Sequence, residues 1–236
     1  MLTPWLPPGN TAVLDGRGEV FYRHHRHADP SAPTLLLLHG WTASADLQFF
    51  TAYEELAADF SFVAIDHRGH GRGMRSAAKF QLEDAADDAA ALIEHLGVGP
   101  VLRSWAYPSW LRVGLKRMAR KQKTLEPYIE WLAGELSRNS AVHLVHAGQA
   151  LSRYDAVMWA EQLGVPSAML ITTKDHLVKP RKQKALAKAL GAHVIEVAGD
   201  HLAPWMNAVE FSHTTASLAR HVAAHRVGTA NSARRD

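Results

Sequence analysis

Two segments in the carboxyl-terminal half set acids and imidazoles just after apolar runs: Thr172-Thr173-Lys174-Asp175-His176-Leu177-Val178, and Gly199-Asp200-His201. An acid after one strand and a histidine after the next, with a helix between them, can converge at the rim of adjacent parallel strands, where the carboxylate fixes the imidazole tautomer. The same residues also fit plainer duties, Asp175 as the start of a turn and His201 as a loop histidine. Two further segments lie earlier in the chain: Leu38-His39-Gly40-Trp41, followed by the small residues Thr42, Ala43 and Ser44, and Asp66-His67-Arg68-Gly69-His70-Gly71. Gly69 and Gly71 permit a tight turn with positive φ, and Asp66 with Arg68 suits the pinning of neighbouring loops by charge-assisted hydrogen bonds rather than catalysis.

Other chemistries fit less well. His24, His25 and His27 cluster, while His67 and His70, like His143 and His146, are three apart. No H-E-x-x-H occurs, and alternation on a strand would send His24 and His25 to opposite faces, so no metal site is expected. Gly69, Gly71 and Gly73 lack the spacing and the lysine of a phosphate cradle, so no nucleotide and no cofactor is expected. Cysteine is absent, which removes disulfides, a thiolate nucleophile and thiolate metal sites together.

The elements that must position these residues follow from patterning. Gly18 to His24 alternates as a strand after an Asp15-Gly16 turn, predicting an opening hairpin. Pro33 to Leu38 and Ser61 to Ile65 are short apolar runs of the kind buried on both faces of a sheet. A helix is expected from about Asp46 to Ala58 and another from Gln81 to Leu96, the latter with an acidic first turn and Gly97 as its stop. From about Leu102 to Asp155 the sequence turns Trp-rich, Arg-rich and helical, with a weak strand candidate at Ser140 to Val145. Alternation resumes with Ser167 to Thr173, a helix from Pro180 to Leu190, the strand Ala192 to Val197 and a helix from about Pro204 to His225. Strands alternating with helices predict an α/β protein with a mainly parallel sheet and helices on both faces. A single domain over 1–236 is expected, with 102–152 a helical cap and 227–236 a frayed tail.

Together the four segments resemble the α/β-hydrolase family, over about residues 18–100 and 153–225. Each lies at the carboxyl end of a predicted strand, where an open parallel sheet presents its active site. In that family the chain order is nucleophile, acid, histidine. The resemblance implies that Asp175 and His201 are the acid and base of a triad. It also implies that Gly40 and Trp41 form the oxyanion loop, with Gly40 allowing close backbone approach and the Trp41 N–H aimed at the developing negative charge.

The nucleophile that the resemblance requires is missing. No serine in the chain has glycine at both −2 and +2, and no aspartate stands in such a frame, so the G-x-S-x-G elbow is absent. Leu92 to Val101 is similar to the helix end and turn that lead into the elbow strand, yet Leu102 to Trp110 follows and reads as cap. The inference is a fold truncated by about two central strands, the elbow and the helix between them. Ser104 and Ser109 lie near the right point but are flanked by Arg103, Trp105, Pro108 and Trp110, so both are weak nucleophile candidates.

Composition narrows the partners. A formal charge of +3 is too small to argue for nucleic acid without a concentrated basic face. The basic stretch Arg112 to Lys123, beside Trp105, Trp110, Leu111, Leu115 and Met118, suits either an anionic lipid-like surface or the solvated outer face of a cap helix. No apolar run is long enough to span a membrane, and the amino terminus lacks a secretory pattern, so a cytoplasmic protein is expected. Three readings follow. The first is a hydrolase of carboxylic esters or similar bonds, impaired for want of a nucleophile. The second is a non-catalytic pseudo-enzyme that binds a small apolar ligand or ester. The third is an aggregation-prone product with unpaired sheet edges. Oligomeric state is left open.

Overall fold

The computed structural model describes residues 3–98, 101–105 and 128–232. The chain folds as two compact units, Met1–Tyr154 and Asp155–Asp236.

The first unit is built on a five-stranded sheet of order β1-β2-β4-β3-β5. Its strands are β1 (Gly9–Leu14), β2 (Gly18–His25), β3 (Thr34–Leu38), β4 (Ser61–Ile65) and β5 (Val101–Trp105). The predicted hairpin is present, with β1 antiparallel to β2 and Leu14 opposite Gly18. β3 runs parallel to both β4 and β5, with Leu38 level with Ile65 on one side and Trp105 on the other.

Side-chain alternation gives this sheet two buried faces. On one face Leu36, Val63 and Ile65 join Ala12, Leu14, Val20 and Tyr22 against Ala89 and Leu92. The last two belong to helix α3 (Leu82–His95), and each fully buried aliphatic side chain there contributes about 1.5–3 kcal/mol. Phe62, out of phase with Val63, faces the other way and stacks on Tyr53 with ring centroids 5.4 Å apart.

Tyr53 sits in a helical segment that departs from expectation. In place of one helix over 46–58 there are two short ones, α1 (Ala45–Phe49) and α2 (Tyr53–Ala57). The turn between them is tightened by the Ala52 N–H bonding to the Phe49 carbonyl at 2.8 Å, and Phe49, Phe50 and Tyr53 are all buried. An uninterrupted helix spreads side chains at i, i+1 and i+4 over a wide arc, whereas the break lets all three reach apolar surroundings.

Two other expectations are corrected. Leu102–Trp105, read as the start of the cap, belongs to β5 and pairs with β3. Ser140–Val145, read as a weak strand, opens helix α5 (Ala141–Arg153), which follows α4 (Ile129–Ser137). His143 and Ala147, four residues apart, are both buried there, so the apolar signal has helical period. The basic stretch 112–123 lies outside the described residues.

The second unit has a parallel pair of strands, β6 (Ala168–Thr172) and β7 (His193–Val197), in register from Ala168 opposite His193 to Thr172 opposite Val197. Helix α6 (Val157–Ala160) precedes them and α7 (Pro180–Ala189) connects them, with Pro at its first turn, where the missing N–H costs nothing. The final helical region is divided at Asn207 into α8 (Ala203–Met206) and α9 (Ala208–Ser232). α9 thus continues past Val227, where the frayed tail was expected to begin, and residues 233–236 lie outside the description. No described helix is long and apolar enough to cross a membrane.

Candidate active site

In the second unit Asp175 and His201 meet. Asp175 lies three residues beyond the end of β6 and His201 four beyond the end of β7. Because the two strand ends are level, the loops leave the sheet side by side. Two backbone bonds tie them together, Thr173 N–H to the Val197 carbonyl at 2.9 Å and Lys174 N–H to the Gly199 carbonyl at 3.0 Å.

His201 Nδ1 stands 2.9 Å from Asp175 Oδ2, and both side chains are almost wholly buried. The carboxylate is held from several directions. Oδ1 accepts the N–H groups of Leu177 at 2.8 Å and Val178 at 3.0 Å, and Oδ2 accepts the Thr172 hydroxyl at 3.2 Å. With Nδ1–H donating to the carboxylate, Nε2 becomes the basic nitrogen of the imidazole. Gln183 on α7 donates to the Val178 carbonyl at 2.6 Å and to Thr172 Oγ1 at 3.0 Å. It therefore braces the turn that carries Asp175, a role that sequence inspection missed for want of any spacing signal.

In the first unit Gly40 and Trp41 lie in the turn after β3. Thr42, next in line, has φ 64°, a left-handed conformation rare outside glycine and retained where surrounding contacts over-determine it. Those contacts are specific. Asn139 donates to the Thr42 carbonyl at 2.8 Å. His39 accepts the His67 N–H on Nε2 at 2.9 Å, so Nδ1 carries the proton and donates to the Gly40 carbonyl at 2.7 Å. Burial, with His67 and His70 nearby, holds the His39 imidazole well below its ordinary titration range, so it stays neutral in that tautomer.

The Trp41 side chain has a structural task. Its indole N–H donates to the Leu144 carbonyl on α5, and its ring packs so closely on Gly148 that an added Cβ would lie 2.6 Å from Cζ2. The indole N–H is thereby committed to α5, and the backbone N–H is the donor of Trp41 that suits an oxyanion.

Behind this turn lies a buried ionic network. Arg23 grips Asp46 through both carboxylate oxygens at 3.0 and 2.7 Å, and Arg72 bridges Asp46 at 3.2 Å and Glu135 at 2.5 Å. Asp66 accepts the N–H groups of Ala45 at 2.7 Å and Arg72 at 2.8 Å, and burial pushes its carboxyl up to about 6. Gly71, at φ 47°, passes so close that a Cβ would lie 2.3 Å from the Asp66 carboxylate, which explains glycine there. Arg68 does not partner Asp66; it makes a forked bond to Asp88 on α3, with both contacts at 2.7 Å. Asp46, Arg72, Glu135 and Asn139 are thus the supporting residues that the motif did not reveal.

Of the two serine candidates, Ser104 lies within β5, level with Leu37 of β3. An elbow serine sits instead on a sharp strand-to-helix turn. Ser109 lies outside the described residues.

Residues 33–107 match the family model described as the α/β hydrolase fold. Over 95 residues the chain is 36% identical to a bifunctional esterase/perhydrolase of Acinetobacter calcoaceticus, covering 38% of this chain and 32% of that protein. It is 32% identical over 108 residues to 1H-3-hydroxy-4-oxoquinoline 2,4-dioxygenase of Pseudomonas putida, covering 44% of this chain and 40% of that one. The matched segments therefore span well under half the length of these curated relatives.

Among solved structures, an enol-lactonase from Burkholderia xenovorans LB400 superposes with a TM-score of 0.71 at 17% identity, covering 89% of this chain and all of that one (100%). An esterase from Exiguobacterium antarcticum gives a TM-score of 0.72 at 14% identity, covering 89% of this chain and 98% of that one. With the strand order and the family match of residues 33–107, these likenesses make the chain an α/β-hydrolase-fold protein.

Proposed function

We propose that this chain is an ester-hydrolase scaffold that has lost its nucleophile: it keeps Asp175 and His201 as acid and base and Gly40 with Trp41 as the oxyanion loop, and hydrolyses carboxylic esters poorly or not at all. The observation that carries the reading is the 2.9 Å contact between His201 Nδ1 and Asp175 Oδ2 in a chain with no serine in a G-x-S-x-G frame. In this class of enzyme the imidazole takes the serine proton as the oxygen attacks the carbonyl, and the oxyanion donors stabilise the tetrahedral intermediate. Without that oxygen only the residual contribution of binding and the oxyanion donors is left, on the order of 10³–10⁴ over water. On this reading the missing portion is the elbow, about two central strands and the helix between them, and the likeness of the chain to an esterase/perhydrolase supports ester substrates.

The test is labelling by a fluorophosphonate probe alongside turnover of p-nitrophenyl acetate. The expected outcome is no stoichiometric label, and residual turnover that is unchanged in Ser104→Ala and Ser109→Ala. Stoichiometric labelling of any serine would overturn the reading. The missing nucleophile also favours a second reading, a non-catalytic protein that holds a small apolar ligand or ester. Saturable binding of a non-hydrolysable ester analogue with no turnover at all selects it.

A further inference from the structure

Three imidazoles stack on the surface of the second unit, away from the Asp175 loop in sequence and without a part in the acid–base pair. The ring of His193, the first residue of β7, lies 4.0 Å from that of His221 on α9, with planes 15° apart. The His221 ring lies in turn 4.1 Å from that of His225, at 30°. His221 and His225 are four residues apart on one helix, so they share a face one turn apart, the spacing that H-E-x-x-H sites use to chelate zinc. The strand supplies the third ring from a different element.

The tautomer is already prepared. His225 Nδ1 donates to the His221 carbonyl at 2.8 Å, which leaves the Nε2 lone pair of His225 for a ligand. Metal-binding histidines are oriented in just this way by a carbonyl on the other ring nitrogen. Burial and the two neighbouring imidazoles also disfavour the protonated form of His221, and neutral imidazole is the form that coordinates. As they stand, no three donors among the described residues converge on a point, because the rings are stacked. His193 and His225 are exposed, however, and rotation about their side-chain bonds turns a stack into a cluster.

We propose that His193, His221 and His225 form a surface site for a borderline divalent transition ion, Zn²⁺, Ni²⁺ or Cu²⁺, with water completing the shell. The ion would clamp β7 to α9. That clamp suits a unit whose sheet has two strands, since so small a sheet depends on what packs against it.

The test is calorimetric titration of the full chain with Zn²⁺ near neutral pH, paired with thermal melting. One saturable equivalent is expected, with affinity reduced at least tenfold in His221→Gln and less in His193→Gln and His225→Gln. A zinc-dependent rise in melting temperature should vanish in the same variants and persist in His27→Gln. Exposed His193 and His225 keep the test decisive if the His221 variant fails to fold. Absence of saturable binding, or affinity that is unchanged in both His193→Gln and His225→Gln, overturns the proposal, as does an equal loss in His27→Gln.

Discussion

Lowering the pH from about 7.5 to about 4.5 should strongly destabilise the first unit through two buried imidazoles beside the Gly40 turn. Burial above all, with the mutual repulsion of neighbouring histidines, pulls His67 and His70 down to about 4 from an ordinary value of 6.5. A folded value below the unfolded one means that stability is fully present above 6.5 and is lost as pH falls toward 4. At about 1.36 kcal/mol per unit, each ring accounts for roughly 3 kcal/mol, or about 7 kcal/mol together. Asp66 works the other way: raised by burial from 3.8 to about 6, it penalises the folded state above that value and returns about 3 kcal/mol on acidification. The net loss near pH 4 is therefore about 4 kcal/mol, a large share of the roughly 5–15 kcal/mol that holds a domain together. Urea unfolding followed by tryptophan fluorescence across this range measures it. His70→Asn, which keeps a donor for the Arg68 carbonyl that His70 Nδ1 meets at 3.0 Å, should flatten the profile by about half. A urea midpoint that stays constant between about pH 7.5 and 4.5, or a variant with an undiminished slope, would refute the assignment of acid lability to these rings.

Gly148→Ala should lower the melting temperature, at a cost of about 1–3 kcal/mol, because its Cβ would lie 2.6 Å from the Trp41 ring and α5 would have to back away. A melting temperature equal to that of the parent would show that the contact is looser than described. Arg72→Ala should cost about 3 kcal/mol or more, since it strips a guanidinium from the fully buried Asp46 and from Glu135. Chemical denaturation checks it, and a loss under about 1 kcal/mol would mean that Arg23 and Arg138 suffice to neutralise those carboxylates.

Much of this architecture could be read from local pattern. The leucine run of β3 and the Phe-Val-Ala-Ile run of β4 are short, apolar and closed by His39-Gly40 and Asp66, and a strand buried on both faces needs no more information than that. Gly97 and the acidic first turn likewise bounded α3. Asp175 and His201 were found through a motif order that places each just past a strand, and the register of β6 with β7 turned that order into a 2.9 Å contact.

What escaped the sequence has a common cause. Val101–Trp105 carries Arg103 and two tryptophan-flanked serine positions that look like cap, yet it is a strand because β3 offers an edge; a strand's stability comes from its partner, and no residue in the segment encodes that partner. Ser140–Val145 reads equally as strand or helix over so short a window, and the burial of His143 and Ala147 together settled it. The pairings of Arg72 with Glu135 and of Trp41 with Leu144 join positions 63 and 103 residues apart. Charge and hydrogen-bonding capacity are written in each side chain, but which groups meet depends on how packed helices and strands bring distant positions within about 3 Å, and that is a property of the assembled fold.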